Sequence, residues 1–282
     1  MTDATTPDGR AADLHLHTCY SDGTMTPEEI VRTARSSGLS TIAVTDHDTL
    51  ESWPEALVAA RAAGLELIPG VELSTRSGAE DVHLLGYCMD VEDDEFCAWL
   101  ARLKAARLRR LELMVGRLQA LGVRLTVQDV LTLSGPGTVG RLHVARAIVQ
   151  CGGATQINEA FDKYIGTNKP AYVVEYHPTP EEAILRLRNA RGVPVLAHPS
   201  YIKDGGLIES LIAAGLAGIE AYHSSHDVSQ QLQFRAIAER AHLLMTGGSD
   251  CHGMAKGQPL IGTVKLPYTY VEQLRTWHAT TY

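Results

Sequence analysis

The chain has 282 residues, of which 45% are apolar, 21% charged and 6% aromatic, the composition of a globular protein with core enough for one large domain or two ordinary ones. Its 33 Asp and Glu outnumber its 25 Lys and Arg for a net charge of −8, which argues against a surface that coats polyanions and makes any nucleic-acid contact local. Disorder and a small disulfide scaffold are excluded, and Cys19, Cys88, Cys97, Cys151 and Cys251 form an odd set without CxxC spacing, read as reduced filler thiols.

Met1 to Ala12 is polar with both charge signs, unlike a secretory signal, and no apolar run approaches the roughly 20 residues of a membrane span. The expectation is a cytoplasmic protein with no membrane contact. From Ala11 to Asp93, short β-like runs alternate with helical ones, the pattern of a parallel sheet covered by helices. Strands are predicted at Ala12 to His17, Thr41 to His47, Glu66 to Leu73 and Val82 to Tyr87. Thr26-Pro27-Glu28-Glu29 reads as a helix start, and Gly38 and Gly64 as helix stops.

Asp94 to Lys169 reads as mostly helical, because Phe96, Leu100, Leu103, Leu111, Met114, Leu118 and Leu121 recur at steps compatible with a 3.6-residue period. Its first helix carries Arg102, Lys104, Arg107, Arg109, Arg110 and Arg117, either a solvated face or a surface that draws in phosphates. Ser134-Gly135-Pro136-Gly137 is a turn signal, and Leu142 to Gln150 a further helix. The strand pattern resumes near Pro170, with strands expected at Pro194 to Ala197, Gly218 to Tyr222, Leu243 to Gly247 and Gly262 to Lys265.

The chemistry sits at the strand ends. His15 and His17 are two apart in a strand, so their side chains share a face about 7 Å apart and can converge on one metal. Asp22 follows in a polar turn, His47 closes the second strand, Glu72 lies in the third and His83 in the fourth. The second half repeats the habit with His198, Asp250 and His252. In a parallel α/β barrel such ends gather at one rim. Imidazole and carboxylate without thiolate suit Mn²⁺, Zn²⁺ or Fe²⁺, with the oxygen share favouring Mn²⁺.

His15-Leu16-His17, Thr45-Asp46-His47, Gly70-Val71-Glu72, His83, Ala197-His198-Pro199 and Ser249-Asp250-Cys251-His252 together resemble the polymerase and histidinol phosphatase (PHP) phosphoesterases. The resemblance covers residues 11–93 and 171–282. It implies a distorted (β/α)₇ barrel with two or three divalent metal ions at the rim, into which the mostly helical stretch 94–170 reads as an inserted substrate-binding subdomain. It further implies that His15, His17, Glu72 and Asp250 hold one ion. Glu72 would bridge to a second held by His83 and His198, and Asp22, His47 and His252 would hold a third.

The insertion itself looks like that of the 3′,5′-nucleoside bisphosphate phosphatases, through Gly140-Arg141-Leu142-His143-Val144-Ala145-Arg146, Phe161-Asp162-Lys163-Tyr164-Ile165 and Lys169-Pro170-Ala171-Tyr172-Val173. That likeness implies removal of a 3′-phosphate to leave a nucleoside 5′-monophosphate, with 5′ trimming of short RNA in some relatives. Arg141 suits two-pronged phosphate binding and Lys169 a compact positive charge. His143 is grouped with them, though Arg141 and His143 can equally cap the inserted helix. His223 and His226 are set down as substrate-side residues able to donate a proton to the leaving oxygen, or as plain rim histidines.

Asp46 should point away from the metals and orient a histidine, Cys251 should face away, and Ser21 is a weak phosphate contact. The expected activity is direct hydrolysis of a phosphomonoester on a small nucleotide or short RNA, without a covalent intermediate and without a protein partner. The alternatives are a histidinol-phosphate or other small phosphomonoester phosphatase, and, from another class, a non-catalytic metal-bound scaffold. The inferred fold also suits amidohydrolases, so the phosphate reading rests on the basic insertion.

Overall fold

The computed structural model describes residues 9–135, 137–174 and 176–282. Pro136 of the expected turn and the first eight residues of the polar N-terminal stretch lie outside them. Among the described residues, no helix is long and apolar enough to cross a membrane.

Eight strands form one sheet: β1 (Ala11–Leu16), β2 (Thr41–Val44), β3 (Glu66–Ser77), β4 (Glu80–Tyr87), β5 (Val193–Leu196), β6 (Gly218–His223), β7 (Leu244–Gly248) and β8 (Leu266–Pro267). Their order is β7-β6-β5-β4-β3-β2-β1-β8. The sheet rolls up because the segment after β7 returns to β1: Leu16 and Cys251 form a parallel bridge, and His17 N donates to Cys251 O at 3.0 Å. A Cβ added to Gly248 would lie 2.3 Å from the Cβ of His15, so a glycine is required where β7 comes closest to β1. Buried Asp13 fastens the seam, accepting from Ser249 N at 2.9 Å and Gly262 N at 3.2 Å. The result is the expected distorted α/β barrel, a nearly closed wall of seven strands with the short β8 filling the base of the seam.

Two expectations need correction. The sheet is not all parallel: β3, β4 and β5 pair antiparallel, as do β1 and β8. Only Gly78 and Ala79 separate β3 from β4, and two residues can make a hairpin but never a parallel crossover. The last strand is Leu266–Pro267 rather than Gly262 to Lys265, because Gly262 takes a left-handed φ of 78° and Thr263 N donates back to Leu260 O, which makes that stretch a turn.

The helix signals hold. Thr26 caps α1 (Pro27–Ser36) with a reciprocal bond pair to Glu29, and Gly64 closes α2 (Trp53–Ala63) at φ 64°. The 94–170 stretch contains α3 (Asp94–Ala120), α4 (Val127–Ser134), α5 (Arg141–Gln150), α6 (Ile157–Ala160) and a π-helical turn at Phe161–Ile165. α3 is about 40 Å long at 1.5 Å per residue and serves two cores. Phe96, Trp99, Leu100 and Leu103 join the barrel core, whereas Leu111, Met114, Val115 and Leu118 build a second one with Val144, Ile148, Ile165 and Val173. The helical segment is thus tied to the barrel by one continuous helix and again before α5, where Thr138 N donates to Tyr20 O and Thr138 Oγ1 to His47 O, both at 2.9 Å, which fixes its basic side chains relative to the rim. Beyond it, α7 (Pro180–Asn189), α8 (Leu207–Ala213), α9 (Val228–Ala241) and α10 (Tyr268–Thr281) complete the coat.

Candidate metal centre

The rim collects the predicted residues from every part of the barrel. β1 ends in His15 and His17 on one face. The turn after it is held by Asp46, which accepts from Thr18 N (2.7 Å), Thr18 Oγ1 (2.7 Å) and Ser21 Oγ (2.6 Å), and this turn delivers Asp22. Asp46 therefore orients the turn that carries a carboxylate and, through the Ser21 hydroxyl 3.5 Å from His17 Nδ1, reaches a histidine ring as expected. His47 bridges to Glu72 of β3. Because β4 runs backwards, its entering half stands at this same rim and brings His83 in from a strand beginning, with His83 paired to Ser74. His198 follows β5 at φ 25° and Asp250 follows β7 at φ 53°, two non-glycine residues in left-handed backbone of the kind that structures hold at functional sites. Cys251 faces away into the core and its Sγ accepts from Gly253 N and Leu260 N.

Three overlapping groups result. His15 Nε2 and His17 Nε2 each lie 3.0 Å from Glu72 Oε2, and Asp250 Oδ1 is 3.2 Å from His17 Nε2 and 3.6 Å from His15 Nε2. The other oxygen of Glu72 lies 2.7 Å from His83 Nδ1 and 3.0 Å from His198 Nε2. Asp22 Oδ1 is 3.1 Å from His252 Nε2 and 3.9 Å from both His47 Nε2 and His17 Nδ1. Every one of the nine predicted ligands is thus brought to one place, with Glu72 at its middle.

These residues fit cations. His17 Nε2, Asp22 Oδ1 and His47 Nδ1 are buried and make no hydrogen bond, although opposite-charge partners are near. His252 Nδ1 donates to the carbonyl of Asp250 at 2.8 Å, which leaves its Nε2 lone pair facing Asp22, the tautomer a ligand needs. Asp22, Glu72, Asp250 and a further buried acid, Glu220, bring four carboxylates together, a charge that protons or divalent ions have to balance.

Burial alone would raise the Glu72 carboxyl, but the charges of His47, His15 and His83 outweigh it and hold it well below its ordinary range. Asp22 and Asp250 are lowered in the same way by surrounding histidines. Conversely, burial would lower His17, yet Asp250, Glu72 and Asp22 push it up to about 9.

Beside the cluster opens a cavity of about 150 Å³. Asp22, His47 and His83 line it from the barrel, and Arg107, Arg110 and Arg141 from the helical segment. Arg107 donates to Asp48 and, at 2.9 Å, to Ser74 Oγ, while Arg110 Nε donates to Val173 O at 3.0 Å and Arg141 Nη2 lies 3.7 Å from Asp81 Oδ2. The row of basic residues on α3 therefore splits: Arg102, Arg109 and Arg117 are exposed, and Arg107 and Arg110 turn inward.

The other expected substrate-side residues fall differently. Ser21 lines the cavity, with its hydroxyl donated to Asp46. Lys169 is exposed and is not among the cavity-lining residues. His143 is buried, and its Nδ1 accepts from Gly140 N at 3.1 Å, which caps α5. His223 belongs to the centre: its Nδ1 accepts from Ser225 N at 3.1 Å, so the neutral ring carries its proton on Nε2, 3.7 Å from Asp250 Oδ2. His226 packs between Phe234 and His223 and bonds Ala221 O, one layer behind. Sequence reasoning missed Glu220 and Asp48, both fully or almost fully buried. The one available signal for Glu220 was a lone acid in the apolar run Ile219-Glu220-Ala221.

Imidazoles and carboxylates converging at the rim of an α/β barrel, next to an arginine-walled cavity, define a metallohydrolase built for an anionic substrate. The family model for the PHP domain matches residues 13–165. The chain is 34% identical to the 3′,5′-nucleoside bisphosphate phosphatase of Chromobacterium violaceum, over 90% of this chain and 92% of that one. It is 33% identical to the 5′-3′ exoribonuclease Rnm of Escherichia coli, over 85% and 84% respectively. A solved structure from Bifidobacterium adolescentis, assigned as a metal-dependent phosphoesterase, superposes with a TM-score of 0.85 at 34% identity and covers 96% of this chain and 97% of its own. The chain belongs to the PHP domain family and is a metal-dependent phosphoesterase.

Proposed function

We propose that this enzyme removes the 3′-phosphate of 3′,5′-nucleoside bisphosphates, yielding a nucleoside 5′-monophosphate and phosphate, and trims short RNA from the 5′ end at the same centre. The observation that carries the reading is the cavity itself: one wall supplies ligands for cations and the opposite wall supplies three arginines, so a substrate with two phosphates has a place for each. The names and activities of the bisphosphate phosphatase and exoribonuclease relatives support it.

In this reading, residues 11–93 and 171–282 form the catalytic barrel, and residues 94–170 form the substrate-binding subdomain. His15, His17, Glu72 and Asp250 hold one ion. Glu72 reaches a second with His83 and His198, and Asp22, His47 and His252 hold a third. Mn²⁺ suits this mixed imidazole and carboxylate set better than Zn²⁺ or Fe²⁺. Bound divalent ions supply polarisation of the phosphoryl oxygens and acidification of water. The chain's own part is positioning and charge: Arg141, 3.7 Å from Asp81, clasps the second phosphate through a forked, charge-assisted bond, while Arg107 and Arg110, held by Asp48, Ser74 and Val173 O, add positive charge to the wall. His223, with Nδ1 accepting from Ser225 N, turns its Nε2–H toward the centre, where it can donate a hydrogen bond to a phosphoryl oxygen. The substrate is a small nucleotide or a short RNA end, no protein partner is needed, and five unpaired cysteines suit the reducing cytoplasm.

A phosphate-release screen of the manganese-loaded protein tests this. Nucleoside 3′,5′-bisphosphates should be turned over faster than nucleoside monophosphates, cyclic nucleotides and histidinol phosphate, with 5′-phosphorylated oligoribonucleotides also cleaved. Faster turnover of histidinol phosphate than of any bisphosphate overturns the reading.

A further inference from the structure

A fourth group of potential ligands lies behind the centre: His15, Glu220 and His223, all buried. It is not a fourth ion site, because both oxygens of Glu220 are already used. Oε1 lies 2.9 Å from His15 Nδ1, and Oε2 accepts the backbone N–H of His198 at 2.8 Å. The side chain is fully buried on β6, which pairs in parallel with β5, so its carboxylate reaches the peptide that follows β5 as well as the ring on β1. The two partners belong to different ion groups.

We propose that Glu220 is a positioning residue of the metal centre, which orients a ligand of the first ion through the His15 ring and a ligand of the second through the His198 backbone. The inference rests on the metal centre proposed above. Its physical content is directional. Accepting from Nδ1–H fixes the His15 tautomer, so that the Nε2 lone pair faces Glu72 and Asp250, where an ion sits. Accepting from the His198 amide holds that residue at its left-handed φ of 25°, the conformation that turns its Nε2 to the other oxygen of Glu72.

A carboxylate offers two acceptor oxygens. Glutamine offers one acceptor and one NH₂ donor of nearly the same shape. In Glu220→Gln the NH₂ faces either the His198 N–H, donor against donor, or His15 Nδ1. The second choice makes Nδ1 an acceptor and moves the ring proton to Nε2, where it blocks the ion.

The test compares Mn²⁺ binding by full-length wild type and Glu220→Gln, after metal stripping, using electron paramagnetic resonance of the free ion, with circular dichroism and melting of the metal-free proteins as the fold control. The expected result is a metal-free variant that melts within a few degrees of wild type and binds Mn²⁺ about 10- to 100-fold more weakly, the range usual for residues that orient metal ligands. Wild-type Mn²⁺ affinity and stoichiometry in a folded variant overturns the role of Glu220 and leaves the centre standing. A wild type that takes up no Mn²⁺ overturns both. If the variant does not fold, the decision passes to Zn²⁺-loaded wild type labelled with ¹⁵N-histidine: His15 protonated at Nδ1 and metal-bound at Nε2 is expected, and metal at Nδ1 refutes the inference.

Discussion

The two walls of the cavity are built on opposite principles. On the barrel wall, the imidazoles and carboxylates are short side chains at strand ends, mostly buried and fixed by backbone position and by one another. On the helical wall, arginines reach in on long stems, each steadied by a carboxylate or a carbonyl such as Asp48, Asp81 or Val173 O. The difference separates chemistry from recognition. A loss on the barrel wall removes the ions and should abolish hydrolysis of every substrate, whereas a loss on the helical wall should weaken only substrates that carry a second phosphate.

The largest effect is expected at Glu72, whose two oxygens lie within 3.5 Å of five histidines. Glu72→Gln should lose bound metal, and turnover should fall by more than the 10- to 100-fold typical of residues that merely orient ligands. Metal analysis of the purified variant together with kcat checks this, and wild-type values of both would dissolve the distinction between the walls. Next comes Arg141, whose contact to Asp81 is long, so its removal strands no buried acid. Arg141→Ala should lower kcat/KM for a nucleoside 3′,5′-bisphosphate by about 10- to 100-fold, as expected for one or two hydrogen bonds to a charged group. Its metal content and its hydrolysis of a simple aryl phosphate should stay within about 3-fold of wild type. An equal loss on both substrates would place Arg141 in the chemistry rather than in recognition.

The barrel wall was legible in the sequence because it is written in short words. A strand-end position fixes both where a residue goes and which way it points, so His15 and His17, His47, Glu72, Asp250 and His252 stood out as candidates from local spacing, while their division among ions came from the family resemblance. His83 was found although the sheet direction at β4 was misjudged, since a hairpin reversal returns a strand's beginning to the rim where its predecessor ends. Glu220 and Asp48 stayed hidden because their value lies in contacts 205 and 59 residues away, to His15 and Arg107, which no local pattern encodes. The helical wall was legible only as a basic helix. Which arginines turn inward depends on how α3 is rotated against two cores, and charge alone does not say whether a side chain such as that of exposed Lys169 faces the cavity.

His143 sharpens the comparison from the side of stability. It was grouped with the phosphate contacts, but it is buried and caps α5 through the Gly140 amide, and burial pushes its pKa down to about 4 from 6.5. As pH falls below 6.5 the unfolded chain takes up a proton that the folded ring refuses. Stability is therefore complete above that pH and is lost as pH falls towards 4, by up to about 3 kcal/mol at 1.36 kcal/mol per pKa unit. Gln at this capping position keeps an acceptor for the Gly140 amide without titrating. Urea unfolding of the metal-free proteins at pH 7, 6, 5 and 4 should show the stability of His143→Gln rising relative to wild type as pH drops. A constant difference across that range would mean that the buried ring is not what acid attacks.

The smallest effect is expected at Lys169, where sequence and structure disagree most directly about the helical wall. A compact ammonium following the π-helical turn suits a phosphate ligand by type, yet the side chain is exposed and outside the cavity that Arg107, Arg110 and Arg141 line. Screening by solvent leaves an exposed charge little to contribute at that remove. Lys169→Ala should change kcat/KM for the bisphosphate by less than about 2-fold at physiological salt, where the Debye length is about 8 Å. A loss comparable to that of Arg141→Ala would mean that the segment around 169 folds over the cavity when substrate binds, and the helical wall would then have to be redrawn as a moving part.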